Sequence, residues 1–175
     1  MARVTLNRVS ADTTISNTAA ESTMYTYSVP ANMGAIDGQR LVLSMLCTLL
    51  NNSGANRTYT MRLKFGATTV IADAMIAIPT STALRSFEII VEIANDGATN
   101  AQFCKMSVSV SAPLAVTTGL SGDYGTAPTE IGSVIMNTSA LDQTVSQTLA
   151  VTIQADAATA TQTITMRNAL LEMAT

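Results

Sequence analysis

The chain has 175 residues, of which 47% are hydrophobic and 12% charged, with a net charge of −3. A single domain of that size buries roughly 70% of the surface its unfolded chain exposes, so it needs no disulfide or metal to hold it. Two Lys and seven Arg are scattered rather than striped, which argues against nucleic-acid binding, and the longest apolar run, Leu41 to Leu50, is about half the roughly 20 residues that span a bilayer. No nucleic acid or membrane is therefore expected as a partner. The opening Met1 to Arg8 passes straight into polar alternation without the apolar centre of a secretory signal, so the protein is expected to stay in the cytoplasm where it is made. Charge this sparse defends a surface poorly against association, and a chain that normally lives in an assembly is expected.

In chain order, Val4 to Val9 is the first strand candidate, and Ser10 to Glu21 is largely small and polar. The first 21 residues are either an arm, able to add a strand to a neighbour's sheet, or a first strand with its loop. The main domain then runs from residue 22 to 175. Met24 to Val29 follows as a strand, and Pro30 to Gln39, with Gly34 and Gly38, as a loop. Leu41, Leu43, Met45, Cys47 and Leu49 share one face of the next strand, while Val42, Leu46 and Leu50 interrupt the polar residues of the other. Both sides of that strand want cover, from the chain's own loops or from another subunit. Cleaner alternation follows in Thr58 to Phe65, with Tyr59, Met61, Leu63 and Phe65 opposite Thr60, Arg62 and Lys64. Phe87 to Ile93 and Cys104 to Val110 repeat it, as does Val145 to Ala155, and further strands are expected at Thr68 to Asp73 and Ile131 to Asn137. In Gln162 to Met173, Ile164 and Met166 have the opposite parity to Ala169, Leu171 and Met173. That segment is either a strand bulged near Arg167-Asn168 or a strand ending in a short helix.

Asn, Asp and Gly cluster at Leu50 to Asn56 and Ala94 to Asn100, with a fainter echo at Ala155 to Thr161. Such clusters between strands read as hairpin loops. Pro113 to Glu130 is longer than a hairpin needs and carries Gly119, Gly122, Asp123 and Tyr124, which makes it the candidate contact loop. About 8–10 short strands without a helical period indicate an all-β, antiparallel double-sheet sandwich.

The chain contains no histidine, so a Ser-His or Cys-His catalytic pair cannot be written. Glu88 and Glu92 share a strand face but stand roughly 13 Å apart, too far for either glycosidase geometry, and read as a solvated face. Phosphate-cradling motifs are absent, and Asp37-Gly38, Asp96-Gly97 and Gly122-Asp123 lack the dense acidic pattern of a calcium loop. Neither a cofactor nor a metal is expected. Cys47 and Cys104 both fall in predicted strands, where two buried thiols are favoured over a disulfide. Six of the seven aromatics sit in predicted strands, leaving Tyr124 as the one placed to meet a ligand.

The stretch Tyr25-Thr26-Tyr27-Ser28-Val29-Pro30-Ala31-Asn32, and then Leu50 to Gly66 with its Asn51-Asn52-Ser53-Gly54-Ala55-Asn56-Arg57-Thr58-Tyr59 turn and strand, resembles the jelly-roll accessory proteins of tailed bacteriophage virions. These are capsid decoration, head-fibre and tail-fibre modules, and the likeness covers roughly Tyr25 to Val110 and, more weakly, Gln143 to Met173. The resemblance implies a jelly-roll sandwich, often trimeric, with a structural or adhesive role in the virion after assembly in the host cytoplasm. Without repeats or heptads to build a shaft, the expectation is a non-enzymatic homotrimeric capsid decoration protein whose partners are other virion proteins. The alternative is a receptor-binding or adhesin module of a phage tail or fibre. Val42, Leu46 and Leu50 are the candidate subunit interface.

Overall fold

The computed structural model describes residues 2–34, 38–75, 77–113 and 131–175. They form eleven strands: β1 (Arg3–Val9), β2 (Thr13–Ser16), β3 (Ser22–Val29), β4 (Arg40–Asn51), β5 (Tyr59–Phe65), β6 (Thr68–Ala74), β7 (Arg85–Ala98), β8 (Ala101–Pro113), β9 (Ile131–Ser139), β10 (Gln147–Ala155) and β11 (Gln162–Ala174). A seven-stranded sheet runs β1-β11-β4-β7-β8-β9, with β2 also on β11, and a four-stranded sheet runs β3-β10-β5-β6. All the pairings are antiparallel. The fold is the expected all-β double-sheet sandwich.

Alternation decides which side of each strand enters the core. Leu41, Leu43, Met45 and Cys47 of β4 meet Ile93, Val91, Ile89 and Phe87 of β7 in register, while Leu149, Val151 and Ile153 of β10 meet Phe65, Leu63 and Met61 of β5. These apolar side chains are almost fully buried between the sheets. Cys47 and Cys104 lie among them as free thiols, pushed up to about 12 by burial. The Tyr25 and Tyr59 hydroxyls are also buried and without hydrogen bonds, and desolvation first of all raises both to about 12.

Two expected hairpin loops are corners instead. Leu50 to Asn56 leads from β4 in the large sheet to β5 in the small one, and Ala155 to Thr161 leads from β10 back to β11. Only Ala94 to Asn100 is a true hairpin, with Ala98 opposite Ala101. Asn-rich loops satisfy their own backbone equally well at a corner: buried Asn51 donates to the carbonyls of Ala55 (3.0 Å) and Ile78 (2.9 Å) and accepts from the Ser53 hydroxyl at 2.7 Å. The β5–β6 hairpin turns on Gly66, whose φ is 62°. The register of β11 slips between Met166 and Asn168, so the parity change at Arg167 is a bulge within one continuous strand rather than a helix.

The open side between the sheets is tied by side chains. Ser133 of β9 donates to the Asp73 carboxylate of β6, and Asn137 Nδ2 donates to the Val70 carbonyl at 2.7 Å. At one end of the sandwich a buried amide cluster does similar work: Asn95 Nδ2 and Gln102 Nε2 both donate to Gln143 Oε1, at 3.2 and 3.3 Å, and Gln102 exchanges two hydrogen bonds with the Leu141 backbone. The β9–β10 connection is thereby held over the β7–β8 turn.

Candidate functional site

The sandwich turns two broad faces outward, and they differ in chemistry. On the small sheet, the side of β5 and β10 away from the core carries Thr60, Arg62, Lys64, Thr152 and Gln154. Glu21, just before β3, reaches across this face. Its carboxylate accepts from Lys64 Nζ at 2.5 Å and from the Thr152 hydroxyl at 2.6 Å, with Arg62 Nη1 3.6 Å away. These donors, Lys64 foremost, hold the Glu21 carboxyl below the ordinary carboxylate range. Arg62 Nη2 also donates to Gln154 Oε1 at 3.0 Å, and Gln154 Nε2 donates to the Ala19 carbonyl at 3.0 Å. Beside this network lies an open cleft lined by Ala19, Thr58, Thr60, Gln154, Ala155 and Asp156. Asp156 braces its rim, accepting from the Thr58 N–H at 3.1 Å and standing 3.9 Å from the Arg57 guanidinium. The cleft presents hydroxyl, amide and carboxylate groups together, the set that hydrogen-bonds polyols.

On the large sheet, the outward side is mixed. Ion pairs occupy one end, where Glu92 bridges Arg40 (3.4 Å) and Lys105 (3.0 Å) and Arg3 meets Glu172 at 2.9 Å. Toward β9 the face exposes apolar side chains, Val134 (62%) and Met136 (55%) on β9 and Phe103 (40%) on β8, and Leu46 on β4 is 54% exposed. A shallow depression here is lined by Glu88, Ile90, Ser107, Ser109, Ser133 and Val134.

Val42, Leu46 and Leu50 all lie on this outward side of β4, but their surroundings differ. Val42 stands between Glu172 and Glu92 in register and is 8% exposed, Leu46 is open to solvent, and Leu50 is half-buried opposite Thr163. Gly119, Gly122, Asp123 and Tyr124 fall outside the described residues. Residues 3–9 and 13–16 form an edge of the large sheet along β11. Phe103, one of the six aromatics in predicted strands, is exposed. Its parity is that of Lys105, opposite to buried Cys104 and Met106, and that parity was visible in the sequence. Sequence reasoning missed the Glu21 clamp altogether, because it joins residues far apart in the chain.

Among the described residues no group of three or more His, Cys, Asp or Glu side chains comes together as a metal-binding set. Glu88 and Glu92 sit on the outward side of β7, with Glu92 engaged by its two cations.

No protein-family model and no curated protein sequence matches the chain. Among solved structures it is similar to the CBM2 module of the evolved Dit of Lactobacillus casei BL23 phage J-1, at 8% identity and a TM-score of 0.39, over 84% of this chain and 67% of that one. It is also similar to lectin I of Ulex europaeus, solved with the methyl glycoside of α-L-fucose, at 10% identity and a TM-score of 0.33 over 88% and 77% of the two chains. Peanut lectin matches at 7% identity and a TM-score of 0.30 over 97% and 98%. These are distant likenesses of β-sandwich layout, one of them to a module of a phage protein.

Proposed function

We propose that this chain is a non-enzymatic recognition module of a phage virion, of the receptor-binding or adhesin kind. The observation that carries it is the outward face of the small sheet, where Thr58, Thr60, Gln154 and Asp156 line an open cleft stiffened by the Glu21 network. Polar groups held in place by their own neighbours lose little side-chain freedom on meeting a ligand, which favours recognition of a hydroxyl-rich surface polymer. A shallow cleft without an aromatic platform binds each repeat weakly. Useful attachment then comes from many copies acting together, which raises apparent affinity by roughly 10²–10⁴.

A second reading, a homotrimeric capsid decoration protein, is favoured by the apolar outward face of the large sheet, since exposed apolar patches mark surfaces that pack on protein. The two readings separate in one experiment. Fluorescently labelled protein is offered to host cells, to host envelope polysaccharide and to undecorated capsids. The recognition reading expects saturable binding to cells and polysaccharide that is lost in Gln154→Ala/Thr60→Ala, whereas the decoration reading expects stoichiometric capsid binding indifferent to those substitutions. Binding to capsids alone would overturn the first reading.

A further inference from the structure

A second groove lies on the side of the sandwich where β6 of the small sheet stands over β9 of the large one. Thr68 and Thr69 at the start of β6 face Asn137, Thr138 and Ser139 at the end of β9, across the buried Val70. Its walls are fastened to each other. Asn137 Nδ2 donates to the Val70 carbonyl at 2.7 Å, and Asn137 Oδ1 accepts from the Thr138 N–H at 2.9 Å. The hydroxyls of Thr68, Thr69, Thr138 and Ser139, by contrast, have no hydrogen-bond partner among the described residues. Each hydroxyl offers one donor and two acceptor positions, so four of them on fixed walls suit a ligand rich in hydroxyls. The groove has a volume of about 320 Å³ and the cleft beside Gln154 about 350 Å³, both at the low end for ligand sites. Either one alone takes only a short piece of a polymer.

The pairing of β5 with β6 joins the two hollows. In register, Thr60 stands beside Ala74, Arg62 beside Ala72 and Lys64 beside Thr69, and antiparallel partners put their side chains on one face. Thr60 lines the cleft and Thr69 the groove. Between them on β6 the outward positions are the exposed Ala72 and Ala74, whose methyl groups are too short to obstruct a chain lying beside β5. Four residues along the strand and one strand across set the two hollows roughly 15 Å apart. A linear polymer that occupies the cleft and continues in extended form over the alanines arrives at the groove.

We propose that this groove is a second subsite for the same hydroxyl-rich polymer, so that one copy of the protein binds a run of consecutive repeats in extended form rather than a single one. The proposal rests on the recognition reading and adds to it the length and linearity of the ligand. Four hydroxyls without a charged group among them make the groove an extension of the cleft, not an independent site. A chain already held in the cleft meets the groove intramolecularly, so weak contacts there still raise its affinity.

The test is a calorimetric titration of size-fractionated oligosaccharides released from the host envelope polysaccharide. They are titrated into wild-type protein, Thr60→Arg, Thr138→Arg and Thr68→Ala/Thr138→Ala, with circular dichroism to confirm each fold. In the wild type, affinity is expected to rise by about tenfold or more once the chain outgrows roughly 15 Å, and then to level off. Thr138→Arg, at an exposed position, should remove that rise and leave the affinity of the shortest binding chains unchanged. The double alanine variant should reduce the rise without placing any new bulk in the groove. Thr60→Arg should abolish binding at every length. A wild-type affinity that does not change with length, a rise that survives Thr138→Arg, or a loss of short-chain binding in folded Thr138→Arg would each overturn the second subsite. If short chains still bind and Thr60→Arg still abolishes that binding, the recognition reading stands without it. Absence of binding at every length in the wild type would overturn both.

Discussion

Strands β4 and β10 both run through the interior of a sheet and bury one side in the same core, yet they turn unlike sides outward. Outward from β4 stand Val42, Ser44, Leu46, Thr48 and Leu50; outward from β10 stand Thr148, Ala150, Thr152 and Gln154. The first side offers area and few directed bonds. The second belongs to a hydrogen-bonded network in which Glu21 accepts from Lys64 and Thr152 and Gln154 accepts from Arg62. An apolar outward face costs solubility unless something covers it, whereas a pre-bonded polar face can stay in water and meet ligands there. The difference teaches that two sheets sharing one core can serve different partners.

The sharpest way to break this comparison is to test adjacent residues on opposite sides of β4. Met45 is fully buried and Leu46 is 54% exposed. Met45→Ala should cost about 2–5 kcal/mol in denaturant unfolding, and Leu46→Ala less than about 1 kcal/mol. Equal costs would mean that the outward side is packed within the monomer. Next in size is Gly66→Ala, at the turn that sets the β5–β6 edge of the small sheet. A Cβ there would lie 2.7 Å from Gln147 Oε1 and 3.0 Å from Leu141 Cδ2, on a backbone with φ of 62°. A loss of about 1–3 kcal/mol is expected, and a neutral result would show that the β9–β10 connection gives way.

The smallest effect belongs to the clamp. Because Glu21's folded value is lowered, its contribution is fully present above the unfolded value of about 4.5 and fades as pH falls through the folded value. Glu21→Gln should therefore cost less than about 1 kcal/mol at neutral pH, as partly exposed ion pairs do, and should flatten the acid side of the stability profile. A variant with an unchanged acid limb would show that the network does not hold the face.

Alternation made the sandwich legible. Tyr59, Met61, Leu63 and Phe65 are buried as a set, and of the two readings of the parity break at Arg167, a bulge or a short helix, the bulge is the one in β11. The identity of each strand's neighbours was not legible, because an Asn-Gly cluster serves a hairpin or a sheet-to-sheet corner with the same local bonds, as Asn51 shows. The candidate cleft was hidden for a related reason. It brings residue 19, residues 58 and 60, and residues 154 to 156 together through pairings that no local signal encodes. The apolar outward positions were half visible: Leu46 stood out in an apolar run, while Val134 and Met136 became notable only once β9 proved to be the sheet's last strand.

The division of labour between the two faces is tested most directly by calorimetric titration of monovalent oligosaccharide released from the host envelope into wild-type protein, Thr60→Arg and Ser107→Arg. Thr60 lines the small-sheet cleft and Ser107 the large-sheet depression. Binding is expected to vanish in Thr60→Arg and to keep its per-site affinity in Ser107→Arg. Loss of binding in Ser107→Arg with Thr60→Arg unaffected would contradict the account.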